Sequence, residues 1–183
     1  MLTIHPPSAP LVEPLSAAVL ADSVSGLAAA SDLWLAAVCH DPAARRPVRL
    51  LASDAYEVWV IGWTTGQHVE PHDHGRSAGA LLVVEGALVE VLPQAGGPPV
   101  ERPLGPGPVR HVPVGTVHDV VNRAPEPATS LHVYSPPLSS MTYYDPATLA
   151  PVGTEEIAPI LPFLGGRAGS YLLHPAQRQR VGP

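Results

Sequence analysis

Short apolar runs separated by turn residues dominate the chain from about residue 48 onward. β-Branched and aromatic residues are dense in these runs, and Pro, Gly, Asn and Asp fill the gaps between them. Glu85-Gly86 predicts a hairpin turn, and the Pro- and Gly-rich stretch 93–107 predicts a loop. This rhythm favours a small antiparallel barrel or jelly roll. The predicted strands cover residues 48–51, 56–63, 80–92, 109–112, 117–122 and 129–135.

The N-terminal part of the chain has a different pattern. Residues 11–38 are rich in Ala and Leu, with apolar residues at helical spacing and breaks at Pro14 and Ser25-Gly26. This pattern predicts two short helices, and Asp32 is a candidate N-cap for the second. Residues 1–10 predict an extended arm.

The composition indicates a globular protein with one core. The 183 residues are 45% hydrophobic and 14% charged, with 24 prolines and 16 glycines, which favours short strands over long helices. A net charge of -6 and ten scattered arginines argue against a nucleic-acid surface. A single cysteine, Cys39, excludes an internal disulfide. Because there is no basic leader and no apolar run near the roughly 20 residues that span a bilayer, we expect a cytoplasmic protein without membrane contact.

Three histidines have the spacing of a metal site. His72 and His74 are separated by one residue, and side chains alternate along a strand, so both imidazoles would project from one face. A third, His118, lies in the segment PVGTVHDVVN of residues 113–122. Neutral imidazole is a common ligand of Fe, Zn, Cu and Ni. The pattern therefore predicts that His72, His74 and His118 bind one metal ion, without selecting the metal.

The segments around these histidines resemble the two motifs of the cupin superfamily. Residues 66–86 are similar to the first motif and residues 107–122 to the second. The glutamate that is usual in the first motif is absent, because Ala78 and Gly79 stand at its two possible positions. Together with the sequence SLHVYSPP at residues 130–137, this absence narrows the resemblance to the cysteine dioxygenase type I family.

That resemblance implies a cofactor and a reaction. Fe(II) would be held by the three histidines, and a small thiol such as cysteine would react with O2 to give the sulfinic acid. Ser130, His132 and Tyr134 would lie beside the iron. These three residues also alternate along a predicted strand, so their hydroxyl, imidazole and phenol groups can form one hydrogen-bond chain. The alternative is an ordinary half-buried strand with satisfied polar groups.

Recognition of the substrate carboxylate would require an arginine. The resemblance assigns this role to Arg49 within Pro47-Val48-Arg49, with Arg46 as the rival, and the planar guanidinium fork suits a carboxylate. Some family members also link the active-site tyrosine to a nearby cysteine. Gly79 stands at that position and Cys39 is no substitute, so we expect no such link.

Together these observations predict a mainly β protein: a cupin jelly roll with a short helical N-terminal addition. Trp59 and Trp63 are expected in the core. Tyr143 and Tyr144 either line the mouth of the site or belong to an edge strand at residues 141–146. A tail is expected from about Gly165. The predicted parts of the single domain are residues 1–45 (arm and short helices packed on the barrel), 46–145 (barrel with the metal site) and 146–183 (C-terminal extension).

The predicted function is that of an Fe(II)-dependent thiol dioxygenase acting on cysteine or a related small thiol. One alternative is a dioxygenase for another thiol, such as 3-mercaptopropionate. A second is a non-catalytic cupin that binds a metal to sense a small ligand, and a third is a Zn or Ni cupin isomerase or hydrolase. We expect a monomer or homodimer whose partners are the thiol and O2, with no nucleic acid.

Overall fold

The computed structural model describes residues 12–157. Within them, helix α1 (Ala17–Ala29) and two 3-10 turns (Ser31–Leu33 and Leu35–Ala37) precede eleven strands. The strands are β1 (Arg46–Ala52), β2 (Glu57–Trp63), β3 (His68–His72), β4 (Ala78–Glu85), β5 (Leu88–Gln94), β6 (Gly97–Leu104), β7 (Arg110–Val112), β8 (His118–Val121), β9 (Ala128–Ser135), β10 (Ser140–Tyr144) and β11 (Pro151–Glu156).

The strands form two sheets with jelly-roll topology. The first sheet has the order β1-β2-β9-β4-β7 and the second has the order β11-β10-β3-β8-β5-β6. The strand pairs in both sheets are antiparallel, and the chain crosses repeatedly from one sheet to the other between β2 and β9. A double sheet with these crossings is a jelly roll, so the predicted fold class is confirmed.

Two apolar clusters hold this arrangement together. One lies between the sheets and contains Trp63, Leu81 and Val120, while the other lies between α1 and the first sheet and contains Leu20 and Leu131. Every residue of β9 is buried, because α1 covers one face of the strand and the second sheet covers the other. The alternation of strand side chains therefore points Leu131 towards α1 and its even-numbered neighbours towards the interior between the sheets.

The predicted hairpin at Glu85-Gly86 is wrong. β4 belongs to the first sheet and β5 to the second, so this turn carries the chain across the sandwich. Gly86 has a φ of +72°, and a Cβ atom there would lie 2.4 Å from the carbonyl oxygen of Pro127. The position thus requires glycine both for its backbone conformation and for a close backbone approach.

The predicted loop at residues 93–107 is also wrong, because most of it forms strand β6. β6 pairs with β5 through a turn at Gly96, whose φ is +69°, and it is the exposed edge of the second sheet. An edge strand tolerates proline because one side of its backbone has no strand partner. The prolines of this segment therefore mark an edge rather than a loop.

The N-terminal region is helical as predicted, but the boundaries of its helices differ from the prediction. One helix continues through Ser25-Gly26, and Ser16 caps it by accepting a hydrogen bond from the Val19 amide. The predicted second helix is a pair of 3-10 turns, and Asp32 lies inside the first turn rather than capping it. No single helix in the described part is long and apolar enough to cross a membrane; α1 and the 3-10 turns pass that test only as a pair bent by 87°.

The C-terminal part of the sheet extends further than the sequence indicated. The strand predicted at residues 141–146 exists as β10, but it lies between β3 and β11 rather than at an edge. β11 was not predicted, and it falls within the segment assigned to the C-terminal extension. The predicted arm at residues 1–10 and the tail from Gly165 lie outside the described residues.

Candidate metal centre

The structure brings the three predicted histidines together between the sheets. His72 ends β3 and lies opposite His118, which begins β8. His74 lies beyond the end of β3, so the prediction that it shares a strand face with His72 is wrong. A turn positions it instead: Asp73 accepts hydrogen bonds from the amide of Gly75 at 2.9 Å and from the hydroxyl of Tyr144 at 2.6 Å.

The Nε2 atoms of the three imidazoles converge. The Nε2 atom of His74 lies 3.2 Å from that of His72 and 3.5 Å from that of His118, and all three side chains are buried. Two nitrogen ligands at about 2.1 Å from one ion would be roughly 3.0–3.4 Å apart at octahedral to tetrahedral angles. The spacing therefore fits a single metal ion.

The outer nitrogens of two of these imidazoles are already used as donors. His72 donates from Nδ1 to the carbonyl oxygen of Glu70 at 2.8 Å, and His118 donates from Nδ1 to Glu90 at 3.0 Å. Burial lowers the pKa of His72 and of His74 well below the ordinary histidine value, which favours neutral rings. A neutral ring that donates from Nδ1 carries a lone pair on Nε2, so the cluster directs lone pairs at one point, as a cation requires.

Glu90 is a buried carboxylate that sequence reasoning did not identify. Its side chain is fully buried, and one oxygen accepts from Nε of Arg110 at 2.6 Å while the other accepts from His118. Burial raises the pKa of Glu90, but the hydrogen bonds from His118 and Arg110 outweigh it and hold that pKa below its ordinary value. The available signal was a single acidic residue between the apolar residues of β5.

Ser130, His132 and Tyr134 form the hydrogen-bond chain that their alternation indicated. Ser130 Oγ lies 2.8 Å from Nε2 of His132, and Nδ1 of His132 lies 3.1 Å from the Tyr134 hydroxyl. The chain reaches the histidine cluster, because the ring centroid of Tyr134 is 4.7 Å from that of His74. Burial lowers the pKa of His132 to about 3 and raises the pKa of Tyr134, so both groups are neutral at physiological pH.

Both predicted substrate arginines form ion pairs with carboxylates in this structure. Arg46 is exposed and forms an ion pair with Asp41. Arg49 and His132 both lie opposite Trp59, on the strands to either side of it, so the two residues share a sheet face. The guanidinium of Arg49, however, donates to the fully buried Glu57 at 2.8 Å. The charge of each arginine is thus already matched by a carboxylate.

Arg45, which the sequence did not single out, is a third arginine near the site. Its side chain is buried, its guanidinium stacks on the ring of Trp63 at 4.9 Å, and its Nε atom has no hydrogen-bond partner among residues 12–157. Burial lowers the pKa of Arg45 to about 10. The guanidinium is close enough to interact electrostatically with Tyr134 and Tyr143, and its charge helps to lower the pKa of His132. Among residues 12–157 the charge of Asp119 acts on Arg45, but no carboxylate forms an ion pair with it. A buried cation without a paired carboxylate is costly, which favours an anionic ligand.

Two further residues border the cluster. Tyr143 lies opposite His72 in the sheet, with 6.2 Å between their ring centroids, and its hydroxyl donates to Glu155 at 3.4 Å. Gly79 lies opposite Tyr134, and a Cβ atom there would be 3.2 Å from the Tyr134 ring. The absence of a side chain at position 79 therefore leaves room for this ring position.

This jelly roll with three converging histidines between its sheets defines a metal-binding cupin. A protein from Thermus thermophilus has a similar solved structure, at 24% identity and a TM-score of 0.48, over 54% of this chain and 90% of that one. A sugar phosphate isomerase from a cupin superfamily, from Silicibacter pomeroyi, is similar at 29% identity and a TM-score of 0.47, over 55% and 64% of the two chains.

A family model matches part of the chain. Residues 15–100 match the family model described as cysteine dioxygenase type I, which confirms the resemblance that the motifs indicated. The match includes α1 and the strands that position His72 and His74, and it ends before β8 and β9. Together with the three-histidine cluster, it supports a metal-binding, dioxygenase-like function.

Proposed function

We propose that the protein is an Fe(II)-dependent thiol dioxygenase that converts cysteine or a related small thiol and O2 into the sulfinic acid. The observation that carries this proposal is the contact between the three-histidine cluster and the end of the Ser130, His132 and Tyr134 chain, where the rings of Tyr134 and His74 are 4.7 Å apart. A neutral phenol beside a metal site can hold and donate a proton there.

The reaction adds both atoms of O2 to the thiol sulfur. The sulfur loses four electrons and O2 gains four, so R–SH and O2 give R–SO2H without another reductant. When bound, Fe(II) supplies a Lewis-acidic centre that favours the thiolate and transfers electrons between sulfur and O2. The three histidines are neutral ligands, so the site retains the full cationic charge that attracts an anionic thiolate.

Arg45 is the proposed carboxylate anchor of the substrate, in place of the predicted Arg49 and Arg46. Its buried guanidinium lacks a carboxylate partner among residues 12–157, whereas Arg46 pairs with Asp41 and Arg49 pairs with Glu57. A substrate carboxylate would supply the missing counter-charge and could accept two parallel hydrogen bonds from the guanidinium. The Trp63 ring holds the guanidinium plane in one orientation.

Oxygen uptake with a panel of thiols tests both parts of the proposal. Iron-loaded protein should consume O2 with cysteine or 3-mercaptopropionate and form the sulfinic acid, and cysteamine, which lacks a carboxylate, should be a poor substrate. Arg45→Met should raise KM for the carboxylate thiols about 30- to 150-fold, from the loss of roughly 2–3 kcal/mol of charged hydrogen bonding. Arg46→Met is the matched control and should change KM little.

The outcomes separate the alternatives. No O2 uptake with any thiol on fully iron-loaded protein would refute the dioxygenase and leave the ligand-sensing cupin. Turnover supported by stoichiometric zinc would favour the isomerase or hydrolase class. An Arg45→Met variant with unchanged KM would remove Arg45 from substrate binding while leaving the reaction class standing.

A further inference from the structure

Trp63 is more than the core aromatic that the sequence predicted. Its side chain is fully buried, and its indole Nε1 lies 2.8 Å from Oγ of Ser130. An indole N–H can only donate, so Ser130 must accept this hydrogen bond. Trp63 is therefore the first member of the chain that continues through Ser130 and His132 to Tyr134.

The donor at Trp63 determines the direction of every later hydrogen bond. Ser130 is fully buried, and within residues 12–157 its hydroxyl has two partners, Trp63 and His132. Since Trp63 donates, the Ser130 hydrogen is satisfied only if it is donated to Nε2 of His132. A hydrogen left without an acceptor in a dry interior is unfavourable.

The tautomer of His132 follows from this direction. If Nε2 accepts from Ser130, a neutral His132 carries its hydrogen on Nδ1 and donates it to the Tyr134 oxygen, 3.1 Å away. The phenolic hydrogen of Tyr134 is then free to point away from His132. The ring of Tyr134 packs against His74, so this hydrogen is available to a ligand beside the metal site.

The opposite direction would have a different result. Tyr134 would donate to Nδ1 of His132, and Nε2 would donate to Ser130, which would turn the phenolic hydrogen away from the site. The Trp63 N–H opposes this arrangement, because Ser130 would then receive two donors and its own hydrogen would have no acceptor.

We propose that Trp63 is a positioning residue that fixes the direction of the chain, so that His132 is held as the Nδ1–H tautomer and Tyr134 presents its proton to the bound substrate. The tautomer follows from the geometry alone. Its consequence for turnover rests on the proposed thiol dioxygenase function.

The test measures the tautomer directly, by 15N NMR of histidine-labelled protein loaded with diamagnetic zinc. The His132 signals are assigned by their loss in His132→Gln. The wild-type spectrum should show a protonated Nδ1 and an unprotonated Nε2. In Trp63→Phe, which keeps an aromatic ring but removes the N–H, the Nε2–H tautomer should rise to at least a third of the population.

The chain provides a matched control in the same strand. Nε1 of Trp59 is buried and has no hydrogen-bond partner in the described part of the chain. Trp59→Phe therefore removes an N–H without removing a recorded hydrogen bond and should leave the tautomer unchanged. Should Trp63→Phe fail to fold, benzothienylalanine at position 63 keeps the ring volume while replacing N–H by sulfur. A wild-type Nε2–H tautomer, or an unchanged tautomer after loss of the Trp63 N–H, would overturn the proposal.

Turnover supplies a second readout. In iron-loaded Trp63→Phe, kcat should fall at least tenfold. KM for the thiol should also rise, because the ring supports the Arg45 guanidinium, and a change confined to KM would overturn the proposal. If the wild-type protein oxidises no thiol, the proposed function fails, but the tautomer measurement still decides the role of Trp63.

Discussion

Replacing Glu90 by glutamine should weaken metal binding while preserving the fold. The carboxylate of Glu90 accepts from Nδ1 of His118 at 3.0 Å and from Nε of Arg110 at 2.6 Å. The two donors reach different oxygens of Glu90, so a glutamine amide in the same position presents its oxygen to one donor and its N–H groups to the other. The variant therefore loses the charge that orients His118 and strengthens it as a ligand.

The size of the effect follows from the number of groups affected. One metal ligand of three is oriented by a buried carboxylate, and loss of such a partner typically lowers metal affinity 10- to 100-fold, which corresponds to roughly 1.4–2.7 kcal/mol. The metal-free protein should also lose stability, because Arg110 keeps its charge and loses its carboxylate partner. Metal affinity is therefore measured on folded protein, below the melting temperature of the variant.

Competition with a chelator, using zinc or Co(II), measures the affinity. The matched control is Glu101→Gln, which removes the same charge from a half-exposed ion pair with Arg123 and should bind metal like the wild-type protein. An affinity of Glu90→Gln within twofold of the wild type would refute the orienting role. Equal losses in both variants would show that net charge alone is responsible.

Two further expectations concern single side chains. Gly79→Ala places a Cβ atom 3.2 Å from the Tyr134 ring, so we expect kcat to fall roughly 2- to 10-fold from an off-rotamer cost of about 0.5–1.5 kcal/mol, with metal retained. The control Gly97→Ala, whose nearest contact is 3.7 Å, should leave kcat unchanged. Equal kcat values for the two variants would contradict the expectation. Leu20→Ala should lower the free energy of unfolding by about 2–5 kcal/mol, while the exposed Val19→Ala should change it by less than about 0.5 kcal/mol, as measured by urea denaturation.

The strands could be predicted because they depend on local pattern, and the histidine cluster because its two segments resemble known motifs. Apolar density marks strands, and alternation along β9 placed Ser130, His132 and Tyr134 on one face. The sequence predicted turns at the right positions but not always the strands that they connect. Glu85-Gly86 is a turn, yet no local signal shows that it connects two sheets rather than two neighbouring strands.

The missed site residues depend on tertiary contacts. Arg45 immediately precedes β1 and differs from Arg46 and Arg49 only in its surroundings. Arg46 forms an ion pair with Asp41, and Arg49 forms one with Glu57. Sequence cannot show which of three neighbouring arginines stays unpaired. Glu90 and His118 are 28 positions apart, and only the pairing of β5 with β8 brings them into contact.

Strand β9 acts as a partition between two environments that select for different properties. Its odd-numbered positions, such as Leu131 and Val133, pack towards α1 in the apolar cluster, and its even-numbered positions carry the chain that ends at Tyr134. Selection for folded protein and selection for turnover would therefore act on alternate residues of one eight-residue strand. A substitution on the helix side also moves the backbone that holds Ser130, His132 and Tyr134, so both faces of the strand restrict which residues it can accept.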